Sequence, residues 1–137
     1  MNKMEKEFVP YELAVKLKTL GYDGPCFGVY IAGHLMITYD SIYNSTDIPV
    51  VKAPTFSQAF RFFRERYNVQ SSVKFTHAKY SFEIHFEKLA NGENPPVMVW
   101  HFVDSWLGLN LSLFETYEET ELTCLNKLIE IVEQNQQ

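Results

Sequence analysis

The sequence predicts an α+β fold, in which an antiparallel sheet of four or five strands carries three helices packed mainly on one of its faces. Three segments space their apolar residues as helices do, and two others alternate apolar and polar residues as β-hairpins do. The two kinds of segment follow one another in the order α-ββ-α-ββ(β)-α. Short turns between successive strands require antiparallel pairing, and helices with one apolar side need one sheet face to cover.

The first helix is predicted just after Phe8. Pro10 suits the first helical position, and Leu13, Leu17 and Leu20 form an apolar stripe. Gly21 then ends the helix as a left-handed cap.

A hairpin is predicted next, around residues 32–34. One register places the large apolar residues on a single face. Its pairs are Ile31 with Leu35, Val29 with Ile37 and Phe27 with Tyr39. Residues 40–54 contain Ser, Asn, Asp and two prolines, which favours a connecting loop.

The second helix is predicted over 55–67. Its apolar stripe consists of Phe56, Ala59, Phe60, Phe63 and Tyr67. The second hairpin follows, with strands at 79–87 and 97–103 joined by a turn at 90–94. Residues 72–76 either extend the first of these strands or form a short strand of their own, and alternating leucines at 109, 111 and 113 predict a fifth strand.

The final helix has the strongest local signal. Thr116 and Glu119 have the spacing of a capping box, which fixes the start of the helix. Its predicted buried face consists of Leu122, Cys124, Leu125, Leu128, Ile129, Ile131 and Val132. Glu121 falls near the middle of this face, where an unpaired carboxylate is costly. Either the helix start extends beyond the core, which we favour, or an arginine of the second helix meets Glu121.

Composition limits the classes of function. The length of 137 residues predicts one domain, with a flexible N-terminus at 1–7 and a frayed C-terminus at 133–137. A net charge of −5 disfavours nucleic-acid binding. Two cysteines cannot form a disulfide scaffold, and the N-terminal residues alternate in charge without an apolar run. We therefore expect a cytoplasmic protein that does not bind membranes.

Three stretches resemble a group of small uncharacterised proteins of phages and prophages of Bacteroides-type gut bacteria. The stretches are 8–27, 53–65 and 117–132, and they occur in the expected order over about a third of the chain. Residues 74–114 depart more from that group. The resemblance implies a compact intracellular helix-and-sheet protein of a mobile element. It implies no activity, so no functional residue is carried over from it.

One chemical cluster follows from the predicted register of the second hairpin. Three pairs would share an apolar face in that register: Phe82 with Phe102, Ile84 with Trp100 and Phe86 with Met98. The outer face would then hold Glu87, Glu83 opposite His101, and His85 on a diagonal. Two imidazoles and a carboxylate can bind a divalent metal, so Glu83, His85 and His101 form a candidate metal site. We favour an ordinary solvated sheet face, because no nucleophile or oxyanion hole accompanies them.

The second helix carries a candidate partner-binding surface. Arg61, Arg64 and Arg66 accompany Phe62, which lies about 100° or more from the apolar stripe of the helix. Arginine and aromatic residues are enriched in protein interfaces. The alternative is that Phe62 packs under the loop at 40–54, and stacking on single-stranded nucleic acid is a third, less favoured reading.

No segment of the sequence contains a reaction motif. We therefore expect a non-enzymatic accessory protein that binds another protein, or a second copy of itself, through the second helix. No cofactor or small-molecule ligand is predicted. The alternative function is a small metal-assisted hydrolase that uses Glu83, His85 and His101.

Overall fold

Two antiparallel three-stranded sheets and three α-helices make up the described part of the chain. The computed structural model describes residues 4–37, 50–76, 78–89, 98–104 and 113–135. The α+β class, the three helices and the antiparallel pairing are confirmed. The single sheet of four or five strands is wrong, because the described strands of each hairpin gain a third strand locally instead of pairing with the other hairpin.

The chain divides into two compact units, Met1–Phe62 and Phe63–Gln137. The first begins with a 3-10 turn at Met4–Glu7, followed by helix α1 at Tyr11–Thr19. Its strands are β1 (Gly28–Ile31), β2 (His34–Ile37) and β3 (Val50–Ala53), in the order β2-β1-β3. The single domain over 1–137 stays a prediction.

Helix α1 forms as the sequence predicts. Pro10 precedes its first turn, and Leu13, Leu17 and Leu20 are buried. Gly21 follows the helix with a φ of 96°, the left-handed conformation that glycine adopts without strain.

The first hairpin is present, but its predicted register is wrong by one residue. Ile31 pairs with His34, and Val29 pairs with Met36. Ala32 and Gly33 both have positive φ, so the turn has two residues and not the expected three. Both alternating positions of β1 are buried, at Val29 and at Tyr30, so hydrophobic alternation alone could not select the register.

Strand β3 lies in the segment that the sequence assigned to a loop. Residues 50–53 pair with β1, which corrects that assignment for this part, whereas residues 40–49 lie outside the described ranges. The chain before α1 adds to the same edge, since the Val9 amide donates to the Pro54 carbonyl at 2.9 Å. The Tyr30 hydroxyl also donates to the Val9 carbonyl, at 2.6 Å.

Helix α2 spans Phe56–Tyr67. Thr55 and Gln58 cap its start reciprocally: the Thr55 amide donates to Gln58 Oε1 at 2.9 Å, and the Gln58 amide donates to Thr55 Oγ1 at 3.3 Å. Phe56, Ala59 and Phe63 of the predicted stripe are buried.

The second unit contains β4 (Gln70–Thr76), β5 (Lys79–Leu89) and β6 (Met98–Asp104), in the order β4-β5-β6. Residues 72–76 therefore belong to a strand of their own. The turn predicted at 90–94 and most of the proposed fifth strand lie outside the described residues.

Helix α3 spans Tyr117–Asn135 and packs on β4 and β5. The Glu119 amide donates to Thr116 Oγ1 at 3.1 Å, as the capping box predicts. Its buried residues are Thr120, Cys124, Leu125, Leu128, Ile129, Ile131 and Val132. Thr120 takes the place expected for Leu122, because its hydroxyl donates to the Thr116 carbonyl at 2.8 Å and needs no water.

Candidate functional site

Phe62 is a core residue of the first unit, which corrects the expectation that it is exposed. Its side chain is 9% exposed, and its ring centroid lies 5.3 Å from that of Tyr22. Helix α2 is therefore covered over a wider arc than its predicted stripe. The alternative reading, that Phe62 packs, is correct in kind. The contact that the structure shows is with Tyr22, and residues 40–49 of the loop named in that reading lie outside the described ranges.

Arg61, Arg64 and Arg66 are exposed on the surface of α2. Without an exposed Phe62 between them, these arginines lose the aromatic anchor on which the interface hypothesis depended. Their role in partner binding stays a prediction.

The pairing of Glu83 with His101 is wrong. Strand β6 is offset by three residues from the predicted register, so Glu83 pairs with Asp104 and His101 pairs with Phe86. Strand positions alternate between the two faces, and positions paired with Phe86 belong to the face opposite to that of Glu83 and His85. The three candidate metal ligands therefore do not share a face.

Glu83 and His85 remain neighbours within β5. The His85 Nε2 atom lies 3.3 Å from a Glu83 carboxylate oxygen, and the other oxygen lies 3.2 Å from Lys74 Nζ. Both side chains of the His–Glu pair are partly exposed. A search of the described ranges finds no group of three His, Cys, Asp or Glu residues placed to hold a metal ion.

The second unit presents a cluster of aromatic rings that reaches the solvent. We call Phe75, Tyr80 and Tyr117 the aromatic cluster. Phe75 and Tyr80 are paired across β4 and β5, and their ring centroids lie 5.1 Å apart. The Tyr80 and Tyr117 rings meet edge to face at 6.0 Å, with an interplanar angle of 89°. Phe75 is 65% exposed and Tyr117 is 46% exposed, so the cluster forms an apolar surface.

The backbone below these rings is held in place. Tyr80 exchanges two hydrogen bonds with Phe114: the Tyr80 amide donates to the Phe114 carbonyl at 2.9 Å, and the Phe114 amide donates to the Tyr80 carbonyl at 2.7 Å. The Phe114 ring also stacks on the buried Phe82, with a centroid distance of 6.2 Å. Because Phe114 lies two residues before Thr116, which caps α3, these bonds fix the position of Tyr117 relative to β5.

Carboxylates lie beside two of the residues of the aromatic cluster: Glu118 and Glu121 are near Tyr117, and Glu115 pairs with the chain neighbour of Tyr80. We call Glu115, Glu118 and Glu121 the acidic rim. Glu115 forms an ion pair with Lys79, the neighbour of Tyr80. Burial, together with the charge of Glu121 and a hydrogen bond to it, raises the pKa of the Tyr117 hydroxyl, and the charge of Glu118 adds to the shift. Tyr117 is thus one partner of Glu121, which is half-buried, whereas the sequence favours a helix start that extends beyond the core and offers an arginine of the second helix as the alternative.

Sequence reasoning missed the aromatic cluster. Phe75 lies in a segment for which the sequence allows two strand assignments, and the pattern around Tyr117 indicates only the start of a helix. The available signal is the capping box, which places residue 117 at the first position of the helix. What no local pattern gives is the juxtaposition of residues 80 and 117, because it depends on the bridge between Tyr80 and Phe114.

Comparisons with protein-family models, with curated proteins and with solved structures found no match. The helices in the described ranges include none that is long and apolar enough to cross a membrane. The function of the chain is therefore inferred from its surface chemistry.

Proposed function

We propose that this chain is a non-enzymatic accessory protein that acts by binding another protein. The observation that supports the proposal is the exposure of the aromatic cluster on a fixed backbone. Large aromatic side chains are enriched at interfaces because they bury much apolar area and lose few rotamers on binding. An exposed apolar patch with a polar rim is typical of such a site.

The cluster is also pre-organised. Cross-strand pairing holds Phe75 against Tyr80, and the hydrogen-bonded bridge to Phe114 holds Tyr80 near the start of α3. Rings that are already ordered lose little conformational entropy when a partner covers them. This pre-organisation favours a binding surface over the chance exposure of single residues.

We retain two further elements of this proposal from the sequence. The resemblance supports an origin in a phage or prophage and an intracellular location. Arg61, Arg64 and Arg66 form a second candidate surface on α2. The hydrolase alternative loses its support, because the register assigns His101 to the other face of the sheet.

Affinity capture with matched variants tests the proposal. Wild type, Phe75→Ala and Phe27→Ala are used as baits in lysate of the cells that encode the chain, and each captured protein is then purified and titrated directly. Phe27 is 50% exposed in the first unit and makes Phe27→Ala a control for the loss of an exposed phenyl ring. We expect Phe75→Ala to weaken direct binding about tenfold or more, as truncation of an interface anchor does, and Phe27→Ala to leave it unchanged.

A variant with Arg64→Ala and Arg66→Ala separates the two candidate surfaces. Loss of direct binding in this variant, with normal binding by Phe75→Ala, would show that the interface lies on α2 and not at the aromatic cluster. A purified partner that binds wild type and all variants equally would contradict both surfaces.

A further inference from the structure

We propose that two copies of this chain associate through the outer edge of strand β4, so that β4 of each copy pairs antiparallel with β4 of the other. Strand β4 is an edge strand of its three-stranded sheet, and the pairing joins the sheets of the two copies into one. The inference goes beyond the proposed function, because it concerns the backbone edge of β4 and does not use Tyr117 of the aromatic cluster.

The outer edge of β4 carries backbone groups that lack a partner within the described residues. Tyr80 of β5 exchanges its backbone hydrogen bonds with Phe114, so the pair that it forms with Phe75 on β4 exchanges none. The amide and carbonyl of Phe75 therefore point away from β5. The one-to-one register of the two strands extends this alternation to Val73 and Ser71. Across the described ranges, no backbone hydrogen bond from another element reaches these three residues.

A second extended backbone matches this row of groups. Amides and carbonyls that point outward at alternate residues have the spacing of an antiparallel partner strand, and an unpaired edge is a template for one. Proteins often protect such edges with a lysine. Here the Lys74 ammonium lies 3.2 Å from a carboxylate oxygen of Glu83 on β5, so its charge is balanced within the sheet.

A second copy of β4 fits the edge in one register. When Val73 lies opposite Val73 of the second copy, each outward-facing residue meets another, and Phe75 lies opposite Ser71, a large side chain beside a small one. An axis at Lys74 would place the two lysines directly opposite each other, which is destabilising. An axis at residue 72 would oppose Phe75 to Val69, whose amide already donates to a carbonyl of α2 at 3.1 Å.

The other face of β4 is compatible with the same register. Ser72 lies opposite Lys74 of the second copy, and the two-fold axis repeats this pair. A two-fold interface requires a surface that complements itself, and β4 meets this requirement on both faces. The strand has only seven residues, so the interface is small, and we expect a weak dimer with a Kd of about 100 μM.

The test is sedimentation equilibrium of the purified chain and its variants at concentrations up to about 1 mM. Ser72 is exposed, and it faces Lys74 of the second copy in the proposed register. We expect Ser72→Lys to weaken the dimer about fivefold or more and Ser72→Glu to strengthen it about fivefold, because each change acts at both symmetric pairs. His34→Lys adds a charge to the exposed edge strand β2 of the first unit, and this control should leave the dimer unchanged.

The two Ser72 variants also exclude an effect that comes from folding alone. Within one chain Ser72 pairs with Glu83, so a lysine at position 72 gains an opposite charge and a glutamate gains a like charge. We therefore expect the Ser72→Lys monomer to be the more stable of the two, although its dimer is the weaker. Urea denaturation at a concentration at which wild type is monomeric measures this order.

Amide hydrogen exchange followed by NMR locates the pairing. The amides of Ser72 and Lys74 face β5 and should be protected at every concentration. The amides of Ser71, Val73 and Phe75 face outward. We expect their exchange to slow about threefold between about 50 μM and about 1 mM, as the dimer forms.

Val73→Pro gives an independent check. It removes the central outward amide and leaves the ladder with β5 complete, which is the edge position at which a strand tolerates proline. We expect the dimer to weaken about tenfold or more, with the circular dichroism of the folded chain retained. If this variant does not fold, the Ser72 variants and the exchange measurement decide.

A chain that stays monomeric up to about 1 mM would overturn the inference, as would exchange at Val73 that does not depend on concentration. Equal dimers in wild type and both Ser72 variants, or a dimer weakened by His34→Lys, would also overturn it. The proposed function is decided separately. A monomeric chain whose Phe75→Ala variant loses the purified partner overturns only the dimer, and a dimeric chain whose Phe75→Ala variant binds that partner normally overturns only the partner-binding role of the aromatic cluster.

Discussion

Phe62 stabilises the first unit through its contact with Tyr22. A phenylalanine side chain that is 9% exposed has lost nearly all of its contact with water. We expect Phe62→Ala to lower the free energy of unfolding by about 3 kcal/mol, because it removes buried apolar area and leaves a cavity next to the Tyr22 ring. Urea denaturation followed by circular dichroism measures this change.

Arg64→Ala is the matched control for Phe62→Ala on the same helix. Arg64 is exposed, and a surface substitution of this kind usually changes stability by less than about 0.5 kcal/mol. A loss below about 1 kcal/mol in Phe62→Ala would mean that Phe62 is not part of the core.

Ser81 buries a hydroxyl group that makes no hydrogen bond within the part of the chain that the structure describes. The residue is 0% exposed, and its Oγ atom is without a partner there. An unsatisfied buried hydroxyl costs about 1–3 kcal/mol. We expect Ser81→Ala to raise the free energy of unfolding by about 1 kcal/mol, because the methyl group fills most of the same space without a polar atom.

Ser72→Ala on the neighbouring strand is the control for Ser81→Ala. Ser72 is exposed, so its hydroxyl bonds to water, and the substitution should be close to neutral. Thermal melting of the two variants tests this prediction. A lower melting temperature for Ser81→Ala than for Ser72→Ala would show that the Ser81 hydroxyl has a hydrogen-bond partner.

At the scale of the element, the turn between β1 and β2 contains a residue in a strained backbone conformation. Ala32 has a φ of 51° and Gly33 a φ of 82°, the combination of a two-residue turn that favours asparagine followed by glycine. We expect Ala32→Asn to stabilise the hairpin by about 0.5 kcal/mol and Gly33→Ala to destabilise it by about 1 kcal/mol. The destabilisation by Gly33→Ala would come from the backbone conformation alone, since no atom lies within 4 Å of a Cβ added at Gly33.

Hydrogen exchange of the β1 amides measures the stability of this hairpin. Protection should rise in Ala32→Asn and fall in Gly33→Ala. Opposite changes would mean that the turn has another conformation in solution, as the three-residue turn expected from the sequence would require.

The elements differ in how well the sequence predicts them. The helices were found because their signals are local: the Thr116–Glu119 cap and the Gly21 C-terminus each operate within a few residues. Both strand registers were wrong for one physical reason. Strand β6, like β1, has apolar residues at both alternating positions, as in Val99-Trp100. The hydrophobic pattern alone therefore hardly distinguishes one register from a shifted one.

At the scale of the whole molecule, the candidate site depends on contacts that the sequence does not encode locally. Tyr80 and Tyr117 meet because Phe114 pairs with β5, and the metal hypothesis failed because β6 pairs three residues away from its expected place. The glutamates of residues 115–121, by contrast, can be read from the sequence directly. What the structure adds is the set of exposed rings beside them.

Alkaline pH should destabilise both units through buried acids that resist ionisation. Burial raises the pKa of the Cys124 thiol from 9.0 to about 12, against a hydrogen bond from Ser71 that lowers it. Burial, with the nearby Cys26 and Asp23, raises the pKa of Tyr22 from 10.0 to about 12. In each case the unfolded chain loses its proton at a lower pH than the folded chain does. Stability is therefore fully present below pH 9.0 and falls as the pH rises towards about 12.

The first part of this loss belongs to Cys124, because the thiol has the lower unfolded pKa of the two groups. Urea denaturation of the reduced protein, at closely spaced pH values between about 8 and 11, should show the free energy of unfolding falling from about pH 9 in wild type. In Cys124→Ala the fall should begin near pH 10.0, where Tyr22 ionises in the unfolded chain. Thr123→Ala keeps the thiol and should follow wild type. Equal slopes between pH 9 and pH 10 in wild type and Cys124→Ala would show that the thiol of Cys124 ionises as readily in the folded protein as in the unfolded chain.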